Sequence, residues 1–300
     1  MDKLIVTGYS GFVGQNITEY LKNKNRWEIE HLSLRKPIQI SIAPKAIIHL
    51  AGKAHDLKNT SNFQEYIDVN TGLTKKLFDL FLKSEIQDFI YFSSVKAVAD
   101  TVNGILFETE IPNPQTPYGK SKLRAENYIM SQILPPGKRV FILRPCMIHG
   151  PGNKGNLNLL YKLVKKGIPY PLAAFKNQRS FLSIPNLNYV IEKLISDSLI
   201  PGGIYNLTDD TPLSTNEVIS IIAQALGNKP RLYNINPSVI KAVALLGDKL
   251  RLPLNTERLK KLTEDYVVSN NKIKTALNIS VLPVSSSQGL FQTISSFRTS

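Results

Sequence analysis

Cysteine is almost absent from this 300-residue chain, which holds Cys146 and no second thiol. An intrachain disulfide is therefore impossible, and nothing in the sequence indicates an oxidising compartment. One cysteine and four scattered histidines give no metal-ligand spacing, so we expect no metal site. The cytoplasm is the expected location.

Long hydrophobic runs are also missing. No stretch reaches the roughly 18 apolar residues of a membrane-spanning helix, and the most apolar late segment, 239–246, is interrupted by Lys241. The first three residues lead directly into a strand-like 4–6 and a glycine loop, which is not the pattern of a signal peptide. We therefore expect no membrane insertion.

Acidic residues are few: 23, against 37 lysines and arginines, for a net charge of +14. Such an excess favours anionic partners, whether a phosphorylated small molecule, nucleic acid or an acidic membrane surface. The basic residues occur in short clusters such as Lys165-Lys166, without the interleaved aromatics of a single-strand binding surface. We expect no nucleic-acid partner and interpret most of the charge as solvated surface.

Strand-like and helix-like segments alternate along the first half of the chain, the pattern of a parallel sheet wrapped by helices. We predict an α/β fold, namely a Rossmann-type doubly wound parallel sheet with a smaller mixed α/β substrate lobe. The predicted strands are 3–7, 28–32, 46–50, 88–93, 139–143 and 203–206, and the predicted helices are 13–24, 62–83 and 118–133.

Two structural units are expected. Residues 1–150 plus about 183–208 form the predicted dinucleotide-binding domain, and about 151–182 with 209–300 form the substrate lobe. Between 34 and 45 the chain is too short for a full helix and strand, so one βα unit is predicted to be trimmed there.

A glycine loop, Gly8-x-x-Gly11-x-x-Gly14, joins the first predicted strand to the first helix. The first glycine permits a tight turn, the second lets backbone N–H groups approach a pyrophosphate, and the third allows close packing. The helix terminus adds partial positive charge for the phosphates. The spacing predicts a dinucleotide site formed by Gly8, Ser10, Gly11, Phe12, Val13 and Gly14.

The end of the second strand bears on the choice of cofactor. A cofactor without a 2′-phosphate usually meets an acidic residue there, whereas this chain has Ser33 and Arg35. The serine can hydrogen-bond a phosphate and the arginine can bind it in a forked geometry. Both could equally be surface residues of a loop. NADP(H) is favoured on these residues, and NAD(H) remains an alternative.

A tyrosine and a lysine four residues apart, Tyr118 and Lys122, begin a predicted helix and so share a face. A neighbouring cation favours the phenolate, so we expect a lowered tyrosine pKa and proton exchange near neutrality. Lys122 could also hold the cofactor ribose.

Ser94 follows a strand at the edge where open α/β sheets bind ligands. Its hydroxyl is expected to donate to a substrate carbonyl oxygen while Tyr118 delivers the proton. Ser93 takes this role if the register differs by one residue.

Together these motifs resemble the extended short-chain dehydrogenase/reductases, the nucleotide-sugar epimerase/dehydratase/reductase family, over nearly the whole chain. The resemblance implies a cofactor on the Rossmann half and a nucleoside-diphosphate sugar, with a UDP-sugar favoured, between the lobes. The matching segments are Thr7-Gly8-x-x-Gly11-x-x-Gly14, His49-Leu50-Ala51-Gly52, Ser93-Ser94, Tyr118-x-x-x-Lys122, and Leu143-Arg144-Pro145 leading to Gly150-Pro151.

The resemblance also assigns further residues. It places Asn70 near the cofactor, although a helix-packing role is as plausible, and it implies a homodimer through the helix of Tyr118 and the long helix before it. The implied cofactor contacts are Leu50, Ala51, Gly52 and Asn70, and the implied substrate contacts are Asn156, Leu157 and Arg179 besides Ser94 and Tyr118.

Departures from the family patterns separate the possible reactions. Val95 and Lys96 stand where similar dehydratases carry an Asp-Glu pair, so dehydration is disfavoured. No cysteine follows the serine as in the double-epimerase reductases, and Cys146 is interpreted as a small buried apolar group. Met147 stands where many 4-epimerases have asparagine.

Two reactions remain open. The first is 4-reduction of a nucleotide-linked 4-keto-6-deoxyhexose in surface-polysaccharide synthesis, which the run 144–156 and Arg35 favour. The second is a UDP-hexose 4-epimerisation with tightly bound NAD. Both use the same Ser–Tyr–Lys set. A non-catalytic, cofactor-sensing regulator is a remote third alternative, because such proteins tend to lose the Tyr–Lys pair.

Overall fold

Six parallel strands form the central sheet. The computed structural model describes residues 1–35, 38, 40, 44–53, 62–153, 155–250 and 255–298. The sheet strands are β1 (Asp2–Thr7), β2 (Trp27–Leu32), β3 (Ala46–His49), β4 (Asp88–Phe92), β6 (Arg139–Pro145) and β9 (Gly203–Leu207), and the short strands are β5 (Ile105–Leu106), β7 (Met147–His149), β8 (Phe181–Ser183) and β10 (Val267–Val268). The sheet order is β2-β1-β3-β4-β6-β9.

Helices cover both faces of this sheet. A 3-10 turn, Val95–Ala97, follows β4, and a π-helical segment, Ile67–Gly72, interrupts the long helix. The α-helices are α1 (Phe12–Asn23), α2 (Phe63–Tyr66), α3 (Leu73–Leu82), α4 (Pro117–Met130), α5 (Asn156–Lys165), α6 (Ile184–Ser196), α7 (Thr215–Ala225), α8 (Pro237–Leu250), α9 (Thr256–Thr263), α10 (Asn271–Ala276) and α11 (Ser286–Ser296).

Alternate residues of each strand enter different hydrophobic clusters, because successive side chains of a strand point to opposite faces. In β4, Ile90 and Phe92 pack with α1 and α6, whereas Phe89 and Tyr91 pack with α3 and α4. Strands buried on both faces carry near-continuous apolar runs, as β3 and β4 do. The predicted doubly wound Rossmann-type sheet is confirmed.

The connection from β2 to β3 agrees with a trimmed βα unit. Strand β1 pairs directly with both β2 and β3. Among the described residues between Leu32 and Ala46, none lies in a helix or a strand.

Two predicted helices differ from the observed ones. The helix predicted over 62–83 contains the π-helical segment, where Thr71 Oγ1 donates to the carbonyl oxygen of Ser121 on α4. The helix predicted over 118–133 begins at Pro117, with Thr116 as its N-cap, and ends at Met130. The predicted end at Ile133 was three residues too late, because a turn leads from Ser131 to the prolines at 135 and 136.

The second lobe is built from short pieces around two smaller clusters. Leu157, Phe181, Val218 and Leu290 belong to one cluster, and α8 and α9 contribute to the other. Helix α6 and strand β9 pack on the main sheet instead. On these contacts we propose the division already predicted, with 183–208 in the first domain. No helix within the described ranges is long and apolar enough to cross a membrane.

Candidate active site

The glycine turn lies at the carboxyl edge of β1 and adopts a conformation that requires glycine. Gly8 has φ +68°, and a Cβ on it would lie 2.6 Å from the Ala51 nitrogen. A Cβ on Gly14 would lie 2.3 Å from the Gly8 carbonyl oxygen. Gly11 is exposed, and its added Cβ would meet only that oxygen, at 3.3 Å.

This turn fits the pyrophosphate of a dinucleotide. Gly11 is exposed, and among the described side chains none caps the amino end of α1. Its first-turn N–H groups can therefore meet an anion. Ser10 and Gly11 are exposed, and Phe12 and Val13 are half-buried, so all four lie at the turn's surface.

A buried histidine holds the loop 50–52 against this turn. Thr7 Oγ1 lies 2.7 Å from His49 Nδ1 and accepts a hydrogen bond from the Ala51 N–H at 3.1 Å. His49 Nε2 lies 2.8 Å from Thr74 Oγ1 on α3. Burial lowers the pKa of His49 to about 3, so the imidazole is neutral. The structure thus brings Leu50, Ala51 and Gly52 beside the glycine turn.

Ser33 and Arg35 are both exposed just beyond β2. Pairing of Thr7 with Leu32 places this segment next to the glycine turn. The Arg35 N–H donates to Ser33 Oγ at 3.4 Å. No acidic side chain occurs in the described stretch 33–35.

The lysine of the Tyr–Lys pair is buried beneath the loop 50–52. Lys122 Nζ donates to the Phe92 carbonyl oxygen at 2.8 Å, at the end of β4. A Cβ on Gly52 would lie 3.2 Å from this nitrogen. Burial lowers the pKa of Lys122 to about 8, although nearby Glu126 acts in the opposite direction.

Tyr118 lies one turn before Lys122 on α4, and its hydroxyl shares a hydrogen bond with Ser94. Burial raises the pKa of Tyr118 above its usual value of 10.0, and the Ser94 bond only partly offsets this. The expected lowering of the tyrosine pKa by Lys122 was therefore wrong for the protein alone, because desolvation of the phenolate dominates.

The two adjacent serines have different roles, and the structure distinguishes them. Strand β4 ends at Phe92, and Ser94 caps the following 3-10 turn by accepting from the Lys96 N–H at 3.2 Å. Ser93 instead donates to buried Glu126. Ser94, not Ser93, therefore meets Tyr118.

Glu126 and Arg144 form a buried ion pair beneath the site that the sequence analysis did not identify. Arg144 Nη2 donates to Glu126 Oε2 at 2.6 Å, and both side chains are at most 3% exposed. Glu126 lies one turn after Lys122 on α4, so Tyr118, Lys122 and Glu126 share one face. The spacing of four residues was the signal that could have found it.

Asn70 sits in the π-helical segment and is fully buried. Its Oδ1 accepts from the Lys53 N–H at 2.7 Å, and its Nδ2 donates to Ser121 Oγ at 2.9 Å. A Cβ on Gly52 would lie 2.9 Å from Oδ1. Asn70 thus ties the loop 52–53 to α4, directly beside Lys122.

The residues expected to contact substrate are less closely assembled. Arg179 is half-buried, and its backbone forms an isolated β-bridge with Tyr266. The centre of the Tyr266 ring lies 4.1 Å from Lys96 Nζ, and Lys96 is two residues beyond Ser94. Burial lowers the pKa of Arg179, with Glu264 opposing. The Leu157 side chain is buried in a hydrophobic cluster, which leaves its backbone for any ligand contact. The Asn156 side chain lies outside the described residues.

Other candidate groups have structural roles. Cys146 is buried, and burial raises the pKa of its thiol, in keeping with a small apolar group. Lys96 donates to the Asp100 carbonyl oxygen at 2.7 Å. No cluster of three or more metal-ligating side chains occurs in the part of the chain that the structure describes.

Comparison with known proteins identifies relatives of this chain. A UDP-glucose 4-epimerase of Vibrio cholerae is 30% identical over 251 residues, 76% of each chain. A GDP-6-deoxy-D-mannose reductase of Pseudomonas aeruginosa is 26% identical over 241 residues, 74% of this chain and 79% of that protein. The structure of RMD from Pseudomonas aeruginosa complexed with NADPH has the same fold, with TM-score 0.76 at 20% identity over 100% of both chains.

The family described as "NAD dependent epimerase/dehydratase family" matches residues 4–207, more than half of the chain. The predicted resemblance is confirmed, and the regulator alternative is set aside, because the relatives are enzymes. The chain belongs to the NAD-dependent epimerase/dehydratase family and is an NAD(P)-dependent enzyme of its nucleotide-sugar epimerases and reductases.

Proposed function

We propose that this enzyme reduces C4 of a nucleotide-linked 4-keto-6-deoxyhexose, with a UDP-sugar favoured, in surface-polysaccharide synthesis. The hydrogen-bonded pair of Ser94 and Tyr118 beside Lys122, next to the glycine turn, supports hydride transfer at C4. The observation that favours reduction over epimerisation is exposed Arg35, which suits an exchanging NADPH. A reaction that depends on a free nicotinamide cofactor suits the cytoplasm.

The side chains can perform the proton chemistry of a reduction. The raised pKa keeps Tyr118 protonated near neutrality, so it can donate to the C4 oxygen. Ser94 donates a hydrogen bond to the same oxygen, and the Lys122 ammonium, charged below about pH 8, holds the cofactor ribose. When bound, the nicotinamide supplies the hydride.

The proposed cofactor contacts surround this set. The glycine turn takes the pyrophosphate, while Leu50, Ala51 and Gly52, fixed by His49 and Asn70, border the ribose held by Lys122. Ser33 and Arg35 take the 2′-phosphate of NADP(H). A reductase must exchange its cofactor at each turnover, and NADPH is the usual exchanging reductant for such a site.

Epimerisation at C4 is the second candidate, favoured by the 30% identity to the Vibrio cholerae UDP-glucose 4-epimerase. It would use the same three residues, with Tyr118 first acting as a base. A bound oxidised nicotinamide is cationic and would lower the tyrosine pKa. Dehydration stays disfavoured, because Val95 and Lys96 supply no carboxylate after Ser94. Lys96 instead contacts Asp100 and Tyr266.

Two measurements separate the candidates. Denaturing the purified enzyme and identifying the released nucleotide shows whether NAD is retained. NADPH oxidation is then followed with UDP-4-keto-6-deoxy sugars. The reductase proposal requires NADPH turnover, and tightly held NAD without external oxidation would overturn it in favour of the epimerase.

The cofactor assignment has its own test. Replacing Arg35 with Ser should raise the KM for NADPH about tenfold, the loss of one charge-assisted phosphate contact, and leave the KM for NADH unchanged. Equal effects on both cofactors would contradict the assignment. We further propose that Arg179 and the backbone of 156–157 bind the substrate diphosphate, and that α3 and α4 could form a homodimer contact.

A further inference from the structure

Helix α8 carries two apolar faces, and the described residues bury one of them and leave the other exposed. Ile240 and Ala244 pack into the second lobe. A second row, at intervals of four, three and four residues, faces solvent and is between 41% and 66% exposed. This row, the apolar stripe, consists of Val239, Val243, Leu246 and Leu250.

The stripe lies within a basic part of the chain. Residues 229–262 hold eight lysines and arginines against two acidic residues, a net charge of +6 out of +14 for the whole protein. Lys241 and Lys249 on α8 are exposed. A helix with an apolar row, flanked by basic residues, is typical of segments that lie in the surface plane of an anionic bilayer.

A basic cleft adjoins the helix. Lys165, Lys166, Lys229 and Arg231 line it together with Ile219, and Ile219 packs in the same cluster as Ile240 and Ala244 of α8. The cleft and the covered face of α8 therefore border the same hydrophobic cluster. Lysine and arginine donors in a cleft suit the phosphate of a lipid headgroup.

We propose that α8 and the basic cleft dock this enzyme onto an anionic membrane surface, with the stripe entering the headgroup region. The helix lies on the bilayer and does not span it. A second copy of the chain fits this surface less well, because it would bring the same +6 against itself. The inference is independent of the reaction at C4, so its failure would leave the proposed function untouched.

The test is co-sedimentation of the full chain with vesicles. We expect binding to vesicles of phosphatidylglycerol and phosphatidylcholine in equal parts, and none to phosphatidylcholine alone. Leu246→Ser and Leu250→Ser should each weaken binding about tenfold through lost apolar burial. Lys241→Gln and Lys249→Gln should each weaken it about fivefold, with a shallower salt dependence.

Ile133→Ser with Leu199→Ser is the matched control. These side chains are 94% and 89% exposed, lie outside the second lobe, and should leave vesicle binding unchanged. Absent binding, equal binding to neutral vesicles, or an equal loss in this control would overturn the proposal. So would a stripe variant that changes the molecular mass in solution from oligomer to monomer without affecting vesicle binding, because the stripe would then join two copies.

Discussion

The sheet edge at Tyr118 and the lobe that contains α8 differ in which side chains are buried and which are exposed. At the sheet edge, buried polar side chains such as His49, Asn70 and Glu126 are held by hydrogen bonds to neighbouring groups. In the second lobe, the apolar stripe of α8 is between 41% and 66% exposed. Fixed geometry at the reacting atoms needs buried, satisfied polar groups, whereas an uncovered apolar row suits contact with something outside the chain.

The largest effect on turnover should come from removing the Tyr118 hydroxyl at the buried sheet edge. Tyr118→Phe keeps the ring but removes the proton donor, so turnover should fall by about two to four orders of magnitude. The melting temperature and cofactor binding should change little. Ser93→Ala, beside the site but turned to Glu126, is the control for turnover. Unchanged turnover in Tyr118→Phe would remove this tyrosine from its proposed role.

Breaking the buried ion pair should have the next largest effect. Glu126→Gln leaves the Arg144 charge buried without a counter-charge, and should lower the free energy of unfolding by about 3–5 kcal/mol. Glu65→Gln breaks the more exposed pair with Lys53 and should cost at most about 1 kcal/mol. Urea unfolding measures both. Equal losses would mean that burial does not distinguish the two pairs.

Buried His49 makes the free energy of unfolding depend on pH. Its pKa is about 3 in the folded protein and 6.5 without the fold, so the unfolded chain binds a proton that the folded chain excludes. Stability from this group is complete above pH 6.5 and should fall toward pH 3 by up to about 1.4 kcal/mol per pH unit. His49→Gln should unfold with a flatter pH dependence over this window. An unchanged slope would contradict the assignment.

The smallest effect is expected at the exposed side of α8. Leu246→Ser should change the free energy of unfolding by no more than about 0.5 kcal/mol, because the residue is 55% exposed in the folded protein. Ile240→Ala, on the covered face of the same helix, should cost about 2–4 kcal/mol. If Leu246→Ser costs as much as Ile240→Ala, the stripe is covered in the native protein.

Local patterns made the cofactor half predictable. The glycine turn, the strand alternation and the pair Tyr118–Lys122 each depend on neighbours within one turn or one strand. The sequence favoured Ser94 and kept Ser93 as the alternative, because a single residue of register decides which side chain turns toward Glu126. The raised pKa of Tyr118 was also not predicted, because desolvation of the phenol depends on which residues pack around its ring.

Features that join segments far apart in the chain could not be predicted from the sequence. The π-helical segment at 67–72 depends on contacts with Ser121, some fifty residues later. The pair of Glu126 with Arg144 joins a helix to a neighbouring strand. In the second lobe, short elements without a clear period gave only approximate boundaries, and the uncovered face of α8 became visible only when its covered face was known.

The shared face of α4 has a consequence for how activity returns after unfolding. Tyr118, Lys122 and Glu126 are set relative to one another by the helix itself, and a single docking of α4 against the end of β4 places all three. We expect the site to become competent in the same kinetic step in which α4 docks, with no later adjustment of individual side chains. We therefore expect the groups on α4 to align as one rigid body when the helix docks.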